Sequence, residues 1–197
     1  YITGFSRQSE YRKLLVAPVN IREKFNELIH REINNHKAGR PARIIVKINS
    51  LTDTKLVREL YRASQAGVPI DLIVRGICTL RPGVPGLSDT ITVTSIVGRF
   101  LEHCRIFYFL NGGEEDVYIG SADWMQRNLD RRVELVTPID DPHLKRRLKV
   151  EILDVELRDN MKARRLKVDG FYERVRPESG ETLNNSQEHF LNLYSAG

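Results

Sequence analysis

The residues of this sequence best suited to chemistry are a histidine, a nearby arginine and a glycine-serine turn. His103 stands two residues before Arg105, and the segment GSAD follows at residues 120–123 after two short apolar runs. An imidazole can attack or protonate a phosphoryl group, a neighbouring cation can neutralise the phosphoryl oxygens, and the turn can donate hydrogen bonds. Residues of these types in this order could act on a phosphate group, whereas a histidine taken alone is more often a partly buried structural residue.

The central part of the chain, residues 75–132, contains arginine but no lysine. The planar guanidinium suits bidentate contact with phosphate oxygens. Seven acidic residues share this part of the chain, so an ion pair is the simpler interpretation of any single arginine except Arg75, which ends a buried strand. The seven arginines, with no lysine between them, are Arg75, Arg81, Arg99, Arg105, Arg127, Arg131 and Arg132.

Other kinds of site lack support in the sequence. Neither a GxxxxGK[ST] phosphate-binding loop nor a GxGxxG dinucleotide turn is present. Cys78 and Cys104 lack the CxxC spacing of zinc and redox sites, and the histidines form no metal-binding pattern, so we expect no metal site in this chain. The scarcity of cysteine and the absence of an apolar run long enough to cross a membrane favour a protein of the reducing cytoplasm.

The elements that must position the chemical residues are a strand, a helix and a second strand. Residues 42–48 and 70–74 are apolar, β-branched runs that predict buried strands, and Asp53 caps the helix between them. Strands joined in this way lie parallel with a right-handed crossover, so their carboxyl ends share one rim of the sheet. That rim presents Lys47, Asn49 and Arg75 where open α/β sheets bind ligands.

The rest of the chain predicts further elements of an α/β domain. Asn20 and Glu23 have the spacing of a capping box at the start of a helix, and residues 105–110 and 117–120 predict a hairpin. Residues 91–96 and 133–136 predict strands, and another helix begins at Pro142. From about residue 160 onward we expect a charged hairpin and a short helix as a C-terminal extension. No linker is evident, so residues 1–197 are interpreted as one domain.

Two levels of resemblance follow from these residues. His103, Arg105 and the GSAD segment resemble the H-x-K-x4-D and G-S-x-N motif of the phospholipase D superfamily, with Arg105 for the lysine, Leu110 for the first aspartate and Asp123 for the asparagine. Over nearly the whole chain, the sequence resembles the C-terminal domain of bacterial polyphosphate kinase of the first type. The segments that carry this resemblance are LLVAP (14–18), KINSL (47–51), ASQAGV (63–68), IVRGIC (73–78), LRPG (80–83), VGRFLEH (97–103), SADWM (121–125) and RNLDRRVE (127–134).

The resemblance implies both a fold and an activity. The fold is a phospholipase D-like α/β/α sandwich with a mixed, largely parallel central sheet. The activity is reversible transfer of the terminal phosphoryl group of ATP to inorganic polyphosphate, with Mg²⁺ and through a phosphohistidine. In that family the phosphorylated histidine and the metal-associated arginines lie in the preceding domain, so this chain is expected to be a fragment of a longer kinase and to be inactive alone.

The resemblance also implies partners and residue roles. The partners are ATP or ADP, polyphosphate and the remaining domains of the same kinase, in a homo-oligomer, with no nucleic acid and at most peripheral membrane association. Arg75 matches an arginine that contacts the nucleotide's phosphates, and His103 matches the second active-site histidine, which contacts ATP and assists transfer. Arg81, Arg99 and Asn49 are secondary candidates for phosphate binding, whereas packing explains Arg105 and Asp123 nearly as well.

Two other functions stay open at this point. A phospholipase D-like phosphodiesterase would hydrolyse phosphodiesters as a dimer with two copies of His103. A polyanion-binding module without catalysis would exploit the net charge of +5, the basic helix at residues 144–158 and the hairpin arginines, and its binding would weaken steeply with salt whether or not His103 is present. The hairpin arginines are Arg164, Arg165, Arg174 and Arg176.

Overall fold

The apolar runs of the sequence form the strands of one sheet with nine strands. The computed structural model describes residues 11–195, so residues 1–10 and 196–197 of the predicted domain lie outside the described part. The strands are β1 (Leu15–Ala17), β2 (Ile44–Ile48), β3 (Ile70–Val74), β4 (Ile91–Ile96), β5 (Ile106–Phe109), β6 (Asp116–Gly120), β7 (Glu134–Ile139), β8 (Ala163–Leu166) and β9 (Tyr172–Arg174).

The strands are arranged in the order β1-β7-β6-β5-β2-β3-β4-β8-β9. The predicted parallel pairing of β2 with β3 is confirmed, and β4 adds a second parallel neighbour. All other pairs are antiparallel, so the expectation of a largely parallel sheet is wrong although the sheet is mixed. The hairpins β5–β6 and β8–β9 account for part of the difference, because connections this short can join only antiparallel neighbours.

The helices also agree in part with the sequence patterns. Asp53 caps its helix by accepting a hydrogen bond from the Leu56 backbone nitrogen at 3.0 Å. Asn20 does not form the predicted capping box, because its side-chain oxygen accepts from the Val16 nitrogen at 2.7 Å instead. The helices are α1 (Ile21–Lys37), α2 (Thr54–Gln65), α3 (Gln126–Asp130), α4 (Pro142–Arg146), α5 (Asp154–Leu157) and α6 (Ser186–Ser195), with a π-helix (Arg147–Leu153) between α4 and α5.

Helices cover both faces of the sheet, which confirms the predicted three-layer α/β/α arrangement. On one face α1 and α2 bury an apolar core in which the rings of Phe25, Phe107 and Trp124 pack together, with centroids 4.7–5.7 Å apart. On the other face Leu153 of the π-helix packs against Ile45 and other sheet residues. Since β2 and β3 are buried on both faces, the core holds the residues at their ends in place.

One stretch without regular secondary structure crosses this part of the sheet. Residues 97–105 connect β4 to β5 and contain His103. We call this stretch the His103 segment.

No helix of the described part of the chain has the length and apolar character needed to cross a membrane.

Candidate functional site

The carboxyl ends of β2 and β3 meet the His103 segment at one edge of the sheet. Arg75 follows β3 directly, and its Nη1 atom donates a hydrogen bond to the carbonyl oxygen of Glu102 at 2.6 Å. The Arg75 guanidinium therefore lies beside the residue that precedes His103, and His103 itself is exposed. Among residues 11–195 no hydrogen bond engages the His103 imidazole, so the ring can meet a ligand from solvent.

Lys47, from the same edge, is turned inwards. Its ammonium group donates to Glu102 Oε2 at 2.6 Å and also contacts the carboxylate of Glu156, which is fully buried. A cavity of about 10 Å³ lies between Lys47, Arg75, Glu102, Cys104 and Glu156. A cavity of this size holds at most about one water molecule, so Lys47 is a buried structural cation rather than an open phosphate ligand.

The charges of this buried cluster shift one another's pKa values. Burial, together with the nearby charge of Glu102, raises the pKa of Glu156 to about 8 despite the contact with Lys47. Burial also opposes ionisation of Glu102, but the charge of Lys47 and hydrogen bonds from Lys47 and Gln187 outweigh it and hold the pKa of Glu102 below its usual value. Burial opposes the charge of Lys47, yet the surrounding acidic groups raise its pKa above the ordinary range. The cluster thus places one buried cation between two acidic groups, of which Glu156 retains its proton to a higher pH than Glu102.

The residues of the phosphohydrolase-like motif form a buried hydrogen-bond network. Arg105 donates from Nε and Nη2 to the two carboxylate oxygens of Asp123, each at 3.2 Å, and its Nη1 atom donates to the His103 carbonyl at 2.7 Å. Asp123 also accepts from the Asn49 backbone nitrogen at 2.8 Å and, more weakly, from Asn49 Nδ2 at 3.4 Å. Arg105, Asp123 and Asn49 therefore use their polar groups to fix β2 and β5 beside His103.

The glycine-serine turn begins the connection from β6 to β7, which also contains α3. Ser121 Oγ donates to the Glu134 carboxylate and accepts from the Leu135 backbone nitrogen at 3.1 Å. A Cβ atom on Gly120 would lie 2.5 Å from the Leu135 carbonyl oxygen, so this glycine allows the two strands to approach. The turn therefore has a structural task that the sequence pattern alone did not reveal.

The secondary arginine candidates lie in different places. Arg81 is exposed, and its Nη1 atom is 3.4 Å from the carbonyl oxygen of Val168 in the β8–β9 turn. Arg99 is also exposed but belongs to the His103 segment, where its guanidinium lies 5.3 Å from the centre of the Phe100 ring. Of these two, Arg99 shares a segment with His103. A role for either in phosphate binding stays a prediction.

Three residues of this edge were missed by the sequence analysis. Glu102 of the His103 segment accepts hydrogen bonds from Lys47 and Gln187. Glu156 contacts the same Lys47 ammonium group. Glu102 had a visible signal, since it immediately precedes His103. Glu156 and Gln187 had none, because each reaches this edge from a part of the chain distant in sequence.

The arrangement suits an anion better than a metal ion. In the described part of the chain no group of three or more histidine, cysteine, aspartate or glutamate side chains could hold a metal. The nearby carboxylates are already bonded to cations, Glu102 and Glu156 to Lys47 and Asp123 to Arg105. The exposed His103 imidazole and the Arg75 guanidinium, which is bonded to the carbonyl of the preceding residue, are groups that can instead bind phosphate oxygens and transfer a proton.

Comparison with protein families gives one match over most of the chain. Residues 14–187 match the model described as polyphosphate kinase C-terminal domain 2. Polyphosphate kinase of Thermosynechococcus vestitus is 59% identical over 180 residues, which cover 91% of this chain and 24% of that protein. The chain thus spans about a quarter of the length of the curated relatives it matches, 24% and 26% for two of them.

Solved structures agree with this match. The crystal structure of polyphosphate kinase from Porphyromonas gingivalis superposes with a TM-score of 0.92 and 43% identity, over 99% of this chain and 30% of that one. Nuc from Salmonella typhimurium, a phospholipase D family member, has a TM-score of 0.51 and 14% identity over 70% of this chain and 88% of its own. The second likeness concerns the fold alone.

Proposed function

This chain belongs to the polyphosphate kinase family as its C-terminal domain, and from that premise we propose that it forms half of an active site for reversible phosphoryl transfer from ATP to inorganic polyphosphate. In this proposal Arg75 binds phosphate oxygens of the nucleotide and His103 is a catalytic residue that contacts the reacting phosphate. The other half of the site, including the histidine that becomes phosphorylated, lies in the part of the kinase outside this chain.

The observation that carries the proposal is that Arg75, at the carboxyl edge of β2 and β3, is hydrogen-bonded to the residue that precedes His103. The guanidinium is held by the Glu102 carbonyl, one residue from an exposed imidazole. Open α/β sheets bind ligands at this edge. Arg75 retains further N–H donors after this hydrogen bond, so it can contact phosphate without releasing the segment.

The proposed reaction has two displacements. A histidine nitrogen of the other half-site attacks the terminal phosphorus of ATP, the bond to the bridging oxygen breaks, and ADP leaves. A terminal oxygen of polyphosphate then attacks the phosphorus, the phosphorus–nitrogen bond breaks, and the polymer gains one phosphate. Phosphoryl transfer depends mainly on positioning and charge stabilisation, so Arg75 neutralises oxygens while His103 donates a hydrogen bond or a proton.

The metal, the compartment and the assembly are parts of the same proposal. The substrate is ATP with Mg²⁺, and the metal-associated residues belong to the other half-site, since the carboxylates near His103 are bonded to Lys47 and Arg105. The enzyme is proposed to act in the cytoplasm, where ATP is available, as a homo-oligomer.

The proposal is tested with the full-length kinase that contains this domain. We expect Arg75→Ala and His103→Ala each to reduce phosphoryl transfer by at least about a hundredfold, because each removes a charge or proton donor at the transferred phosphate. Arg58→Ala and His143→Ala are matched controls, since both residues are exposed and lie on α2 and α4. Transfer from ATP to polyphosphate is measured together with calorimetric binding of a non-hydrolysable ATP analogue.

Three outcomes would contradict the proposal. Wild-type-like transfer in both site variants would remove Arg75 and His103 from the mechanism. Hydrolysis of a phosphodiester that requires His103, without transfer to polyphosphate, would favour the phosphodiesterase alternative. Analogue and polyphosphate binding that ignores both substitutions and fades only with salt would favour a polyanion-binding surface.

A further inference from the structure

Gln187, in the first turn of α6, forms three hydrogen bonds with the His103 segment. Its Oε1 atom accepts from the Phe100 backbone nitrogen at 2.8 Å, and its Nε2 atom donates to the Phe100 carbonyl at 2.8 Å. Nε2 also donates to Glu102 Oε1 at 2.7 Å. The amide thus pairs with both backbone polar groups of Phe100, as a neighbouring strand would, and also binds the side chain of the residue that precedes His103.

Gly98 supplies independent evidence for this contact. A Cβ atom at residue 98 would lie 2.4 Å from Gln187 Oε1 and 2.9 Å from its Cδ atom. Any larger residue would displace the amide from the segment, so the glycine and the glutamine fit one another. The contact is therefore a close fit between two distant parts of the chain.

The helix that carries Gln187 is itself fixed to the sheet. Asp159 Oδ2 accepts from both the backbone nitrogen and the hydroxyl of Ser186, at 2.9 and 2.7 Å. Asp159 Oδ1 accepts from three successive backbone nitrogens at residues 161–163, where β8 begins. Gln187 is only 5% exposed, so its amide is held in one orientation from a rigid base.

Within the described residues, the first part of the His103 segment has few other contacts that hold it in place. It lacks regular secondary structure, and its apolar residues Val97 and Leu101 are 64% and 73% exposed, so burial contributes little. Its other anchors are Arg75, which binds the Glu102 carbonyl, and Lys47, which binds the Glu102 carboxylate. At the end of the segment, Arg105 is bonded to Asp123. Of these contacts, that of Gln187 is the one that reaches both Phe100 and Glu102.

We propose that Gln187 is a positioning residue that holds the His103 segment in the geometry needed for phosphoryl transfer. This inference rests on the proposed function, because it assigns Gln187 a role in the same half-site. Misplacement of a reacting group by about 1 Å can cost up to about a hundredfold in rate. Gln187 acts through the segment and touches no reacting atom, so its loss reduces kcat more than it changes KM.

The test uses the full-length kinase with Gln187→Met, which keeps the length of the side chain and removes its hydrogen bonds. We expect kcat to fall between about tenfold and about a hundredfold, with the KM for ATP nearly unchanged, and hydrogen exchange to accelerate at residues 97–105. In a His103→Ala background the same substitution should reduce the rate no further. Glu188→Ala, an exposed neighbour on α6, is the control and should match the wild type.

A second variant guards against a general folding defect. Gly98→Ala pushes the amide away from the other side of the contact and should reproduce both the slower transfer and the faster exchange. Wild-type exchange at residues 97–105 in both variants would overturn the inference, as would an equal rate loss in the His103→Ala background. If His103→Ala alone leaves transfer intact, the proposed function fails, and the exchange measurement still decides whether Gln187 holds the segment.

Discussion

Glu156 has the most strongly perturbed carboxyl environment near the site. One of its oxygens contacts Lys47, and the other has no hydrogen-bond partner within the described residues. A buried carboxylate without full compensation is costly, so the group keeps its proton instead. Because the pKa of Glu156 is raised to about 8 in the folded chain, the stability of the fold depends on whether this group is protonated.

Glu156→Gln should change how the stability of this chain depends on pH. The unfolded chain loses the Glu156 proton near the ordinary pKa of 4.5, whereas the folded chain keeps it up to about 8. Between these values the folded state binds more protons, so the free energy of unfolding falls as pH rises, by up to about 1.4 kcal/mol per pH unit. Glutamine cannot ionise, and we expect the variant to lose this decline in urea denaturation across the same interval.

The comparison variant is Glu151→Gln, which removes a partly exposed carboxyl paired with Arg147 and should keep the decline. Glu102 does not obscure the result, because its pKa is lowered and its contribution is lost only as pH falls through that lowered value. An unchanged decline in Glu156→Gln would show that the Glu156 proton is not linked to folding in this interval.

The positions of these residues could be predicted from the sequence only in part. Arg75 could be placed correctly because a strand-helix-strand pattern is local and fixes where its strands end. The inward turn of Lys47 could not be predicted, since one partner, Glu156, is 109 residues away. The same holds for Arg105, whose pairing with Asp123 depends on how the β5–β6 hairpin closes.

Among the elements, β6 and β7 show how a motif residue can serve the fold. The Leu135 carbonyl and the Val136 side chain both lie 2.5 Å from the position of a Cβ atom on Gly120, and the Val136 Cα atom lies 2.9 Å from it. Two of these three contacts are backbone atoms of the adjacent strand. A side chain at residue 120 would therefore force the strands apart.

Gly120→Ala should destabilise the chain by about 1–3 kcal/mol, the usual cost of overpacking, as measured by urea denaturation. Val136→Ala should not rescue it, because the backbone contacts remain. Gly39→Ala provides the comparison, since Gly39 has a positive φ of 70° but no neighbour within 4 Å, and it reports the cost of backbone conformation alone. A smaller loss for Gly120→Ala than for Gly39→Ala would argue against the steric explanation.

The arrangement of the strands in the sheet could be predicted from the sequence only in part. Periodicity and capping residues predicted most strands and helices because these signals are local. The pairing of β8 with β4 and of β7 with β1 involves strands far apart in sequence, and no local pattern encodes it. This is why the sheet was expected to be more parallel than it is.

Over the whole molecule, the C-terminal region divides into two parts with different tasks. The β8–β9 hairpin extends the sheet, since β8 pairs with β4 and its residue Ala163 lies in a buried core. The helix α6 forms no strand pairs and reaches the site through Gln187. The first part therefore contributes to stability and the second to the geometry around His103.

Two truncations separate these tasks. Removing residues 177–197 leaves all nine strands, which end at Arg174, so we expect a folded chain with one cooperative urea transition. Transfer by the full-length kinase should fall at least as far as in Gln187→Met, because the His103 segment loses its amide partner. Removing residues 159–197 also deletes β8 and β9 and uncovers the edge of β4, so aggregation is expected. Loss of the cooperative transition in the shorter deletion would instead make α6 part of the folding core.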